Sequence, residues 1–118
     1  SPIASIDYYN EVVSFIESEI GSNDRNAALT STRDFYRLFM VPGMGHCAGG
    51  PGPDRFDALT ALENWVEQGV APESILAAKQ EDGVTVRSRP LCPYPEVAQY
   101  NGIGNTDLAE NFSCAIPD

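Results

Sequence analysis

One run in this chain reads as a buried strand, and it has no neighbour of its own kind. Phe35 to Val41 is almost continuously apolar, broken only by Arg37, as a strand covered on both faces reads. A parallel-type strand cannot satisfy its backbone N–H and C=O groups alone. The run therefore asks for a sheet that the rest of the chain does not supply. Residues 42–54 follow at once, with five glycines and three prolines in thirteen positions. That composition excludes regular structure and suits close backbone approach near a site. The only histidine, His46, sits in this loop, and a histidine just past a buried strand is where a hydrolase places its general base. No serine here has a nucleophile-elbow context, so the partners of a catalytic His46 would lie elsewhere. On this reading the chain is one piece of an enzyme.

Composition limits the other classes. Seventeen acidic residues against seven basic ones give a net charge of −10. With no Lys/Arg cluster, the chain offers no surface for nucleic acid or an anionic membrane; the acidity reads as a solvated surface. No stretch approaches the roughly 20 apolar residues of a membrane span. The hydrophobic share of 42%, with 10 Gly and 9 Pro, is slightly low for a self-sufficient core and favours a loop-rich structure. The chain opens Ser1-Pro2-Ile3 without a methionine and is expected to be a processed product or an internal cut, which would hide any targeting segment.

Along the chain, residues 5–20 read as an amphipathic helix. Tyr9, Val13, Ile16 and Ile20 recur at helical spacing and Gly21 follows as its cap. Tyr8 and Tyr9 are expected one half exposed and one facing in. Residues 21–34 read as a surface loop with at most a short helical turn. The strand at 35–41 and the histidine loop at 42–54 precede a helix over 55–68, capped by Asp54 with Asp57 favouring its N-terminus. Phe56, Leu59, Leu62 and Val66 form its apolar face beside Trp65, and Phe56 and Trp65 are read as core residues. Gly69 and Pro72 end it. Two strands joined by Glu81-Asp82-Gly83 form a hairpin over 75–89. From 90 to 118 the chain reads as irregular. The order of helix, strand, loop and helix is that of the last part of a doubly wound α/β unit, and nothing in the sequence suggests a second domain.

Three cysteines leave one over. Cys92 and Cys114 lie in a tail with little to pack, where a disulfide helps most; closing a loop of roughly 22 residues stabilises by about 3 kcal/mol in the chain-entropy model. Cys47 is then either a free thiol or paired to another chain. One His beside one Cys, without Cys-x-x-Cys, is poor zinc spacing. The glycines at 43, 45, 49, 50 and 52 lack the Gly-Lys-Ser/Thr of a phosphate loop. Asn111-Phe112-Ser113 is a glycosylation sequon, consistent with secretion.

The block Val41-Pro42-Gly43-Met44-Gly45-His46-Cys47 with its continuation Gly49-Gly50-Pro51-Gly52-Pro53-Asp54 resembles the tannase and feruloyl esterase family of α/β-hydrolases. Tyr8-Tyr9-Asn10-Glu11-Val12-Val13, the stretch Phe56 to Gly69, and the segment Arg89 to Pro95 with Cys114 extend the likeness over essentially the whole chain. The resemblance implies an α/β fold class, the C-terminal portion of an α/β-hydrolase fold completed by a companion chain or upstream segment. It implies that His46 is the histidine of a Ser-His-Asp triad. It also implies that Cys47 forms a disulfide with a cysteine beside the nucleophilic serine. Serine, aspartate and oxyanion donors would come from the companion, as would a lid with a calcium site; no cofactor is expected in this chain. The expected activity is hydrolysis of phenolic-acid esters, feruloyl or cinnamoyl esters or tannin gallates, by a secreted serine carboxylesterase. The other reading is a small secreted, disulfide-stapled binding or inhibitory module without catalysis.

Overall fold

The computed structural model describes residues 1–118 except residue 22, and so the expectation for 21–34 is tested at every position but that one. The chain divides into two units, Ser1–Leu38 and Phe39–Asp118, where the sequence suggested one.

The first unit is helical. Helix α1 spans Pro2–Glu19, starting three residues before the expected boundary: Ser1 caps it through its side chain, which accepts from the Ile3 amide at 3.3 Å, and Pro2 occupies the first turn, where a missing N–H costs nothing. Tyr9 is fully buried and Tyr8 exposed. Helix α2, Arg25–Arg33, stands where a loop was expected. Asp24 caps it by accepting from the amides of Asn26 and Ala27 at 3.0 and 3.2 Å. Tyr9 and Val13 of α1 and Ala28 and Thr32 of α2 are the buried residues of the pair. Spacing of four places each pair on one helix face. The Thr32 hydroxyl is satisfied by the Ala28 carbonyl at 2.8 Å, and the Tyr36 ring stands edge-on to Tyr9 at 5.0 Å.

The strand expected at 35–41 does not form. The amides of Asp34, Phe35 and Tyr36 bond back to the carbonyls of Ser31 and Thr32, so the start of the run continues the exit of α2. Its one ladder contact among the described residues is an isolated antiparallel bridge from Phe39 to Pro93. Phe35 is exposed. An apolar run is a strand only where another strand takes up its hydrogen bonds.

The second unit holds a three-stranded antiparallel sheet rather than a parallel one. Strand β1 (Arg55–Phe56) pairs with β2 (Ile75–Glu81), which pairs with β3 (Val84–Leu91). The hairpin is two residues longer than expected. Its turn is Asp82-Gly83, both with positive φ (51° and 78°), the conformation a two-residue hairpin turn requires. Ala77 in the middle strand is fully buried. Helix α3 covers Ala58–Gln68 and is capped by Asp57, not Asp54; the Asp57 carboxylate accepts from the Thr60 amide at 3.0 Å and the Thr60 hydroxyl at 2.7 Å. Gly69 ends the helix in the left-handed conformation. Because Asp54 is drawn elsewhere and 55–56 pair with β2, the helix starts three residues late. Phe56 is therefore a strand residue and partly exposed. Leu59, Leu62 and Val66, expected as a buried face, are 66%, 54% and 76% exposed.

The tail is more regular than expected. Strands β4 (Val97–Tyr100) and β5 (Phe112–Ala115) pair antiparallel, with a short 3-10 turn at Ala109–Asn111. A disulfide joins Cys92, just past β3, to Cys114 in β5. The Arg89 guanidinium lies 4.0 Å from the centre of the Phe112 ring. The connection between β4 and β5 is strapped to β3 at three points. Ser88 N–H donates to the Asp107 carbonyl, Ala109 N–H donates to the Ser88 hydroxyl, and Arg87 pairs with Asp107 at 2.9 Å.

Candidate active site

His46 is carried at the tip of a folded loop. Gly45 N–H donates to the Gly49 carbonyl at 2.8 Å, closing residues 46–48 into a tight excursion, and Gly52 N–H donates to the Gly43 carbonyl at 2.9 Å. Three glycines are required by space, the first being Gly43, where a Cβ would stand 2.8 Å from the Gly52 backbone nitrogen. A Cβ at Gly50 would collide with the Gly43 carbonyl oxygen, and one at Gly52 with the Pro42 carbonyl oxygen. The loop backbone lies so close upon itself that only hydrogen fits.

His46 and Cys47 are both exposed at this tip. Cys47 has a φ of 60°, a conformation that L-residues other than Gly, Asn and Asp seldom adopt. Its Sγ lies 3.5 Å from Nδ1 of His46. Cys47 is a free thiol in this chain. Among the described residues no hydroxyl or carboxylate reaches the imidazole, so the sequence-predicted histidine and its cysteine are brought together while a serine and an acid are not. The arrangement presents an exposed imidazole on a shaped backbone loop, and a general base needs such access to its partner.

Cys92 and Cys114 form the tail staple. The Asn111 amide nitrogen, which a glycan would occupy, donates to the Asn105 carbonyl at 2.9 Å. The calcium implied by the resemblance has no matching donor set here: no group of three or more His, Cys, Asp or Glu is placed to hold a metal among the described residues.

Two residues were not singled out as site residues by sequence. Asp54 accepts from the Gly49 amide through Oδ2 at 2.7 Å. Lys79 on β2 donates to the Gly50 carbonyl at 2.7 Å and lies 3.9 Å from Asp54 Oδ1. The Gly49 hydrogen bond, helped by the Lys79 charge, holds the Asp54 carboxyl below its usual range. A usable signal existed, since Lys79 is the only lysine in the chain and sits in a strand among alanines.

Residues 1–115 match the family model described as tannase and feruloyl esterase. Mono(2-hydroxyethyl) terephthalate hydrolase of Piscinibacter sakaiensis is 53% identical over 94 residues, covering 77% of this chain and 16% of that protein. An uncharacterized esterase of Xanthomonas campestris pv. campestris is 44% identical over 135 residues, covering 96% of this chain and 23% of that protein. Feruloyl esterase B from Aspergillus oryzae superposes with a TM-score of 0.79 at 27% identity, over 98% of this chain and 24% of that one. The tannin acyl hydrolase from Aspergillus niger gives 0.70 at 28% identity, over 95% and 20%. The chain thus spans about a quarter or less of the length of these relatives. With the histidine loop inside the matched region, the chain belongs to the tannase and feruloyl esterase family.

Proposed function

We propose that this chain supplies the general base, His46, of a serine carboxylesterase acting on esters of aromatic carboxylic acids. The observation that carries the reading is the placement of a lone histidine at the tip of a rigidly closed glycine loop, within a chain that belongs to a family of esterases. Serine and aspartate come from residues outside this chain, in a companion chain or upstream segment that completes an α/β-hydrolase domain. The bare apolar side of α3, Leu59, Leu62 and Val66, supports such a completion, because a face of this kind is normally covered.

In this mechanism Nε2 of His46 accepts the serine proton as the hydroxyl attacks the ester carbonyl, and the imidazolium then protonates the leaving alcohol. Water repeats both steps on the acyl-enzyme. The aspartate holds Nδ1 and fixes the tautomer. The names of relatives point to the acyl group: terephthalate monoester, feruloyl and tannin esters are all esters of an aromatic acid. Feruloyl or cinnamoyl esters and gallates are the substrates proposed. Secretion is part of the same reading. The Cys92–Cys114 disulfide persists only in an oxidising compartment, and a glycan on Asn111 is best attached before its amide engages Asn105.

The test is hydrolysis by the whole esterase and its His46→Ala variant on feruloyl, galloyl and terephthaloyl monoesters. Losing the base of a triad costs on the order of 10⁴-fold or more in kcat. A variant retaining a few per cent of the parental kcat on its best ester would refute the assignment.

A further inference from the structure

We infer that Asp54 and Lys79 form a clamp that positions His46 for catalysis. The inference rests on the proposed role of His46 and adds to it the residues that hold the loop. A thirteen-residue loop with five glycines has much backbone freedom to lose. Its internal bonds, Gly45 to Gly49 and Gly52 to Gly43, close two rings but do not fasten them to the sheet. The fastening comes from the clamp. Asp54 takes the Gly49 amide with one carboxylate oxygen at 2.7 Å while its own N–H bonds to the Ala78 carbonyl of β2 at 3.1 Å. Lys79, the next residue of β2, reaches the Gly50 carbonyl at 2.7 Å and puts its charge 3.9 Å from the other oxygen of Asp54.

Both short bonds have one charged partner, which makes them the strong class of hydrogen bond. Both land on the downstream limb of the excursion that carries His46. Their anchor is the middle strand of the sheet, next to the fully buried Ala77. Neither Asp54 nor Lys79 touches the imidazole, so each acts through the backbone. A base displaced by about 1 Å loses on the order of 100-fold in rate. The clamp is therefore expected to appear in kcat and not in substrate binding.

The experiment uses the whole esterase, with Asp54→Ala, Asp54→Asn, Lys79→Met, Lys79→Arg and His46→Ala measured together. Asp54→Ala and Lys79→Met should each lower kcat roughly 10- to 100-fold with KM within about threefold of the parent. Hydrogen exchange in the peptide spanning 43–52 should quicken about tenfold or more in both. Asp54→Asn keeps an acceptor for the Gly49 amide and Lys79→Arg keeps a donor for the Gly50 carbonyl, so each should recover most of the loss. If Asp54→Ala fails to accumulate folded, Lys79→Met carries the same test. Parental kcat and parental exchange in Lys79→Met would overturn the clamp, as would a loss of activity that only follows the folded fraction. An active His46→Ala would instead remove the role of His46 and leave the exchange data to judge the clamp alone.

Discussion

The sulfur of Cys47 stands 3.5 Å from Nδ1 of His46, the ring nitrogen that a triad acid has to hold. The direction of this contact follows the tautomer: where the thiol donates to Nδ1, the ring is protonated on Nε2 and cannot accept a proton from serine. Oxidation of Cys47 into a disulfide removes that donor and leaves Nδ1 to a carboxylate. The contact thus links the redox state of the cysteine to the readiness of the histidine. We predict that Cys47 is bonded in the active esterase to a cysteine beside the nucleophilic serine. Peptide mapping without reduction should join the His46-Cys47 peptide to a foreign Cys-Ser peptide, and Cys47→Ser should lower kcat while sparing the fold. A Cys47 that alkylates freely in the native enzyme, or maps to Cys92 or Cys114, contradicts this.

The glycines of the histidine loop are predicted to differ sharply in tolerance. Gly49 has a φ of +79° but open space around it, so Gly49→Ala costs only the left-handed backbone, about 1 kcal/mol. Gly50 has a φ of +92° and the Gly43 carbonyl oxygen where a Cβ would go, and Gly52 faces the Pro42 carbonyl oxygen in the same way. Alanine at 50 or 52 forces the loop open and should reduce kcat at least 100-fold. Assays of the three alanine variants on one aromatic ester check the order; equal activities would show that the loop relaxes freely.

What the sequence disclosed depended on whether the signal was local. Helix α1 was legible because Tyr9, Val13 and Ile16 repeat at helical spacing, and the hairpin because Asp82-Gly83 permits little else. Helix α2 was not, since only Ala28 and Thr32 are buried in it and a polar nine-residue stretch has no apolar stripe. Its one local mark was Asp24 as a cap. The pairing of β4 with β5 depends on residues about fifteen apart and on the Cys92–Cys114 staple. The run at 35–41 has the composition of a strand and lacks the neighbour that would make it one. At the site, His46 was legible from its isolation in a glycine block. Asp54 was read as a helix cap because caps and loop ties use the same residue types, and only tertiary structure brings Lys79 beside it.

The tail staple should matter to stability and not to chemistry. Cys92 and Cys114 are 22 residues apart, and closing such a loop is worth roughly 3 kcal/mol through the unfolded state. Replacing both by serine should lower the unfolding free energy of this region by about that amount, read from urea unfolding followed by exchange in residues 97–115, with kcat changed less than threefold. A large loss of kcat in a folded double variant would place the tail in the active site.

The first unit relies on few buried side chains, so each should count heavily. Tyr9 is fully buried, its ring against Tyr36. Tyr9→Ala should cost about 3 kcal/mol or more, while Tyr9→Phe keeps the ring and should cost about 1 kcal/mol. Exchange protection across residues 2–33 reports the difference; equal effects would mean that the hydroxyl, not the ring, carries the packing.

The start of α3 should respond to acid. The Asp57 carboxyl is held below its usual range by the Thr60 amide and then the Thr60 hydroxyl. A carboxylate whose folded value is depressed contributes its stabilisation in full above the ordinary value, near 3.9. That contribution fades as pH falls through the lower folded value. Asp57→Asn leaves an N-cap of similar strength without a titrating group; Asp57→Ala leaves neither. At pH 6 the Thr60 amide should be protected similarly with Asp or Asn at 57 and clearly less with Ala. As pH drops from 5 to 2 the protection factor, corrected for intrinsic exchange, should fall in the parent, stay nearly flat in Asp57→Asn, and bring the parent toward Asp57→Ala. A parent as flat as Asp57→Asn would mean that the capping bond does not depend on the charge of Asp57.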